Sequence, residues 1–112
     1  LFKRIHRSFN NLLTGVGGVL YPPHSLRPDM LNPDLFTAIA PRCDDFWFWA
    51  ATALNGVPVI PVPFGYNKPR ELGKPRNISL MTINYKGGID RNTEAFNAII
   101  EKYPEIRKLI RK

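Results

Sequence analysis

The chain has 112 residues, and 16 lysines and arginines against 9 aspartates and glutamates give it a formal charge of +7. This length allows one small domain, and an apolar content of 44% is enough for a packed core. A single cysteine excludes an internal disulfide and, with only two histidines, a zinc site closed by these residue types. No apolar run reaches the roughly 18–20 residues of a membrane span.

Residues 12–23 predict a loop and a strand. Gly15, Gly17 and Gly18 permit positive φ and a close approach of the bare backbone to another group. Residues 19–21 fit a short buried strand that is ended by two prolines. Two interpretations of the glycine loop stay open: a tight turn, and backbone contact with a sugar or a phosphate.

The segment 24–61 predicts two helices and an extended arm. Asn32 is expected to cap a helical turn that begins at Pro33. A second helix at 44–54 is apolar on every side, so we expect it to be buried, with the Asn55-Gly56 pair as its left-handed stop. Three prolines in residues 57–64 indicate an edge strand or an extended arm.

The C-terminal third predicts a basic loop at 65–77, a short strand at 79–85 and a long helix. Asn92 or Thr93 is expected to cap this helix, and Pro104 to interrupt it. Four apolar residues follow the spacing i, i+3, i+4, i+7 on one face: Phe96, Ile99, Ile100 and Tyr103.

In residues 105–112 an apolar stripe lies among four basic residues. This pattern suits a helix on an anionic bilayer, or equally a helix packed on the domain with its charges in water.

Two carboxylates stand directly before the aromatic helix. Asp44 or Asp45 could simply cap the helix, or one of them could accept the proton of an attacking hydroxyl at the rim of a cleft. Trp47 and Trp49 could stack on sugar rings, or belong to the core. Cys43 is expected to be a small buried side chain, because no histidine lies near it in the sequence.

The positive charge concentrates in residues 3–7, 68–76 and 102–112. Nucleic acid, an anionic membrane and a diphosphate-bearing donor are partners that such charge can bind, and solvated surface charge is the plain alternative. The chain has no RNA-binding motif, zinc finger or basic recognition helix, so nucleic acid is not the partner that we expect.

Two of these motifs together resemble a family of bacterial glycosyltransferases, the GT-A nucleotide-sugar transferases of capsular and surface polysaccharide assembly. The resemblance is carried by TGVGGVLYPP at 14–23, DDFWFWA at 44–50 and LNG at 54–56. The family's usual second motif is ADDIWFWAMALLNG, so Cys43 here replaces a small residue and Phe46 replaces isoleucine or valine. The similarity covers residues 12–56 and, more loosely, GGID at 87–90 and the helix up to Tyr103.

The resemblance implies roles for the candidate residues. The second carboxylate of the acidic pair resembles the catalytic base of such enzymes, which assigns that role to Asp45, with Asp44 as its supporting neighbour. The glycine-rich stretch resembles the wall on the acceptor side. The residues implied in substrate binding are Gly15, Gly17, Gly18 and Trp47.

The resemblance also implies a nucleotide-sugar donor, a saccharide or lipid-linked acceptor, and Mg²⁺ or Mn²⁺ held by an Asp-x-Asp motif in the full-length enzyme. No Asp-x-Asp occurs in these 112 residues. We therefore expect no metal site and no transferase activity from this chain alone.

The sequence thus predicts an α/β (α+β) fragment, the C-terminal portion of a GT-A-like fold with short strands, a buried helix and an amphipathic C-terminal helix. Residues 1–112 would be a single domain or fragment, cut from a longer protein, that carries the acceptor side and the base without the nucleotide-binding half. We expect it in the cytoplasm, with peripheral contact to the plasma membrane through 105–112. The alternative is a small basic module that binds nucleic acid or anionic membrane.

Overall fold

A computed structural model describes residues 7–13, 18–61 and 90–110 of the chain. In these ranges the secondary structure is helical, with a 3-10 helix followed by four α-helices: the 3-10 helix at Pro28–Leu31, α1 at Pro33–Ile39, α2 at Asp44–Leu54, α3 at Arg91–Lys102 and α4 at Ile106–Leu109. The described residues contain no β-strand. The predicted α/β class, and with it the GT-A-like fold, is therefore wrong for this part of the chain, which is a small all-α globule.

The strand predicted at 19–21 does not form. The side chain of Leu20 is 91% exposed, so the run is not buried as a central strand would be. Residues 57–61 are an extended arm with one isolated antiparallel bridge, between Ser8 and Val59. The bridge cannot grow into a ladder through Pro61, which has no N–H to donate. The strand predicted at 79–85 and the loop at 65–77 lie outside the described residues.

The first α-helix begins as predicted. The side chain of Asn32 accepts a hydrogen bond of 2.9 Å from the backbone N–H of Asp34, and Pro33 occupies the first turn, where its missing N–H costs nothing. The apolar residues of α1 lie half-buried against the core: Leu35, Phe36 and Ile39.

Helix α2 is the centre of the described core. It spans the predicted residues, and Gly56 beyond its end has a φ of 78°, which confirms the left-handed stop. Its two tryptophans are anchored by their indole N–H groups: Trp47 donates to the carbonyl of Met30 and Trp49 to the carbonyl of Phe9, each at 2.9 Å. Helices α3 and α4 both pack against α2. The prediction of a buried helix is confirmed.

The cap of helix α3 is Asp90, and the prediction of Asn92 or Thr93 is wrong. One carboxylate oxygen of Asp90 accepts from the backbone N–H groups of Asn92 and Thr93, at 3.0 and 3.2 Å. The other accepts from the hydroxyl of Thr93 at 2.6 Å. These bonds also lower the pKa of Asp90, since the ionised form accepts them best.

After α3 the chain turns at Pro104, as predicted, and α4 packs on the core. The side chain of Ile106 is fully buried, while Leu109 and Ile110 are half-buried and Arg107 is exposed. The apolar stripe of the tail thus faces the protein. No helix in the described ranges combines the length and the apolar character that a membrane crossing requires.

Candidate functional site

A cleft of about 780 Å³ lies beside the amino-terminal half of the chain. Its walls come from residues 10–13, 18–22 and 57–61, with Ser25 and Thr52 added. Two contacts hold residues 8–13 against the arm at 57–61. One is the bridge between Ser8 and Val59, and the other is a hydrogen bond of 2.9 Å from the side-chain amide of Asn11 to the carbonyl of Val59. The volume is in the range of cavities that bind small molecules.

Tyr21 connects this cleft to helix α2. Its ring lines the cleft and meets the ring of Phe48 edge-on, with the centroids 6.1 Å apart. Burial raises the pKa of the Tyr21 phenol, and the negative charges of Asp45 and Asp44 raise it further. The phenol therefore stays protonated at neutral pH and keeps its O–H as a donor.

The acidic pair occupies the first turn of α2. The N-cap residue is Cys43, whose side chain makes no capping hydrogen bond. Asp44 is exposed and Asp45 is half-buried. Both carboxylates thus lie where the unpaired N–H groups and the helix dipole favour negative charge.

Of the predicted glycines, Gly18 is the one that the structure describes, since Gly15 and Gly17 lie outside the described residues. Gly18 has a φ of 93° and lines the cleft. A Cβ added there would meet no described atom within 4 Å. The need for glycine at this position comes from the backbone conformation and not from crowding.

Trp47 is placed in the core. Its side chain is 2% exposed, and its ring packs between Phe36 and Tyr103, with centroids at 5.8 and 6.4 Å. A ring covered in this way has no face open to a sugar in this conformation. The predicted contact of Trp47 with substrate stays a prediction, and it requires these neighbours to move.

Cys43 is the small buried side chain that the sequence predicts. Its thiol lies 3.4 Å from the side-chain oxygen of Asn92 and 3.8 Å from the carbonyl of Arg91, so it ties the start of α2 to the start of α3. The pKa of the Cys43 thiol is raised, chiefly by burial. The positive charge of Arg42 lowers this pKa, but the carboxylates of Asp44, Asp90 and Asp45 act against it. A protonated, enclosed thiol is a poor nucleophile.

Sequence reasoning missed the two buried hydroxyls of the cleft, those of Ser25 and Thr52. Ser25 is 4% exposed and Thr52 is 3% exposed. A single serine in a loop and a single threonine in an apolar helix carry no pattern that would mark them. Only the tertiary structure, which brings both side chains into the lining of the same cleft, marks them as candidates.

The residues described here contain no group of three side chains suited to bind a metal ion. The Mg²⁺ or Mn²⁺ that the resemblance implies thus has no fitting ligand set in this part of the chain. No family model, curated protein or solved structure matches the chain.

Proposed function

We propose that this chain supplies the acceptor side and the general base of a glycosyltransferase that builds a bacterial surface polysaccharide. The observation that carries the proposal is the contact between Tyr21, which lines the cleft, and Phe48 of helix α2, whose first turn contains the acidic pair. A sugar bound in the cleft near Tyr21 would thus lie on the side of the cleft that contacts helix α2.

The chemistry that this arrangement supports is a proton transfer coupled to sugar transfer. The carboxylate of Asp45 accepts the proton of an acceptor hydroxyl while that oxygen forms a bond to the anomeric carbon of the donor sugar. The bond from the anomeric carbon to the diphosphate oxygen breaks, and the nucleoside diphosphate leaves with the electron pair.

We propose that donor binding uses residues outside this chain, because the 112 residues have no Asp-x-Asp. A diphosphate leaving group needs a metal ion or a cationic site to stabilise its charge. We therefore propose that the transferase carries a separate nucleotide-binding half and that this chain alone is inactive. We propose that the enzyme acts in the cytoplasm, at the inner face of the plasma membrane.

The test is a transfer assay with the transferase that carries this chain, Mn²⁺ or Mg²⁺, and a panel of UDP-, GDP- and dTDP-sugars with saccharide acceptors. We expect transfer from at least one donor, and none above a heat-killed control with residues 1–112 alone. A parallel arm titrates the chain with duplex DNA and with anionic vesicles. Tight binding to either, without transfer from any donor, would contradict the proposal and favour a basic binding module.

A further inference from the structure

Ser25 presents a buried hydroxyl to the cleft wall without a hydrogen-bond partner among the described residues. Its backbone N–H donates to the carbonyl of Pro22 at 3.2 Å, but no such bond is formed by its side chain. A buried hydroxyl without a partner is unfavourable, and native proteins contain few of them. Such a group in the wall of a cleft is what a ligand hydroxyl would satisfy.

Thr52 supplies a second hydroxyl in the same cleft. Its Oγ1 donates to the carbonyl of Trp49 at 2.8 Å, so its proton is used and its lone pairs are left to accept. Ser25 can donate or accept, whereas Thr52 can accept. Together they match a ligand that carries hydroxyl groups, each of which is both donor and acceptor.

The other described residues of the lining are also uncharged. No acidic or basic side chain is among the described residues that form the cleft. Its largest exposed apolar side chains are Leu12, Leu20 and Ile60. A phosphate or carboxylate would lose its hydration here without gaining a counter-charge. A neutral sugar ring combines hydroxyl groups with apolar C–H faces and suits this lining.

We propose that the cleft binds an uncharged sugar ring, with Ser25 and Thr52 as hydrogen-bond partners and Leu20 and Ile60 against its apolar face. This inference rests on the proposed function in one respect: it takes the ring to be part of the acceptor. We expect the charged nucleotide part of the donor to bind elsewhere, since no described residue of the lining offers it a counter-charge.

Chemical-shift titration of the ¹⁵N-labelled chain tests the binding directly. The neutral probes are the methyl glycosides of glucose, galactose, rhamnose and N-acetylglucosamine, and the charged probe is methyl glucuronide, which adds a carboxylate to the glucose ring. We expect shifts at Ser25, Thr52 and Leu20 with at least one neutral probe. Methyl glucuronide is expected to bind at least about tenfold more weakly than methyl glucoside. The proposal would be overturned if no neutral probe shifted the signals of the cleft residues, or if methyl glucuronide bound as tightly as methyl glucoside.

Ser25→Ala separates ligand binding from folding. Removing an unpartnered buried hydroxyl should leave the unfolding midpoint unchanged or slightly raised, while the Kd for the neutral sugar rises roughly threefold to tenfold. A lowered midpoint with an unchanged Kd would show that the hydroxyl is structural and would refute its role. Leu20→Ser should also weaken binding, whereas Leu31→Ser, at a 59% exposed position outside the cleft lining, should not.

The two proposals fail in different ways. If the wild-type chain binds a sugar but no donor supports transfer, the proposed sugar site in the cleft is kept and the proposed glycosyltransferase function is refuted. If transfer depends on Asp45 but the acceptor KM is unaffected by Ser25→Ala and Leu20→Ser, the glycosyltransferase function is kept and the sugar site in the cleft is refuted.

Discussion

The ring of Tyr21 meets the ring of Phe48 edge-on, with the centroids 6.1 Å apart, and so places the loop after the glycine-rich stretch against helix α2. Burial of the ring is the first cause of the raised pKa of Tyr21, and the charge of Asp45 is the second. The tyrosine belongs to the loop after the glycine-rich stretch and the aspartate to the first turn of α2. The contact between Tyr21 and Phe48 thus brings the first motif, which lines the cleft, against the helix of the second motif.

Gly18 should not accept a branched side chain. Because its φ is 93°, Gly18→Ala should lower the free energy of unfolding by about 1–2 kcal/mol, and Gly18→Val by more. Chemical denaturation of the two variants measures this loss. Leu20→Ala is the control, since a side chain 91% exposed should change stability by less than about 0.5 kcal/mol. A Gly18→Val protein as stable as the wild type would make this loop an ordinary linker.

Ile106 should contribute to stability and not to membrane binding. Its side chain is fully buried, so Ile106→Ala should cost about 2–5 kcal/mol of unfolding free energy. Arg107→Ala, at the exposed neighbouring position, should change it by less than about 0.5 kcal/mol. If Ile106→Ala instead kept full stability and lost sedimentation with anionic vesicles, the tail would be a membrane helix.

The Cys43 thiol should make stability depend on alkaline pH. Its pKa is raised in the folded chain, chiefly by burial, so the folded state keeps this proton to a higher pH than the unfolded state. The resulting stability is complete below the ordinary value of 9.0 and is lost as the pH rises through the folded value.

Thermal unfolding between about pH 8.5 and 9.5 covers the range in which the thiol of the unfolded chain titrates, and the tyrosines, with their ordinary value of 10.0, contribute alike to the wild type and to a variant without the thiol. We expect the melting temperature of the wild type to fall more steeply with pH than that of Cys43→Ala. An equal fall in the melting temperature of both proteins would show that the pKa of the thiol does not differ between the folded and the unfolded state.

The helices could be predicted because their signals are local. Asn32 before Pro33 supplies a cap and a rigid first turn, and the aromatic run from Asp44 to the Asn55-Gly56 stop contains its own beginning and end. Each of these signals acts within one or two turns of backbone. No distant residue has to be known for them to be interpreted correctly.

The errors concern features that depend on partners. The apolar run at 19–21 has strand composition, but a strand exists only where another strand pairs with it, and here the side chain of Leu20 is left 91% exposed. At α3 three neighbouring residues could all cap, and Asp90 does so because its two oxygens accept three hydrogen bonds at once. Ser25 became a candidate only through its burial.

Asp45 gives the most direct test of the glycosyltransferase proposal. In the transferase that carries this chain, Asp45→Asn keeps the size of the side chain but removes its ability to take a proton. We predict that kcat falls on the order of 10²–10⁴-fold, with the acceptor KM and the melting temperature close to those of the wild type. Asp44→Asn, the exposed neighbour in the same helical turn, is the matched control and should reduce kcat by less. A folded Asp45→Asn enzyme with near wild-type kcat would contradict the proposal and leave Asp45 as a residue of the helix N-terminus alone.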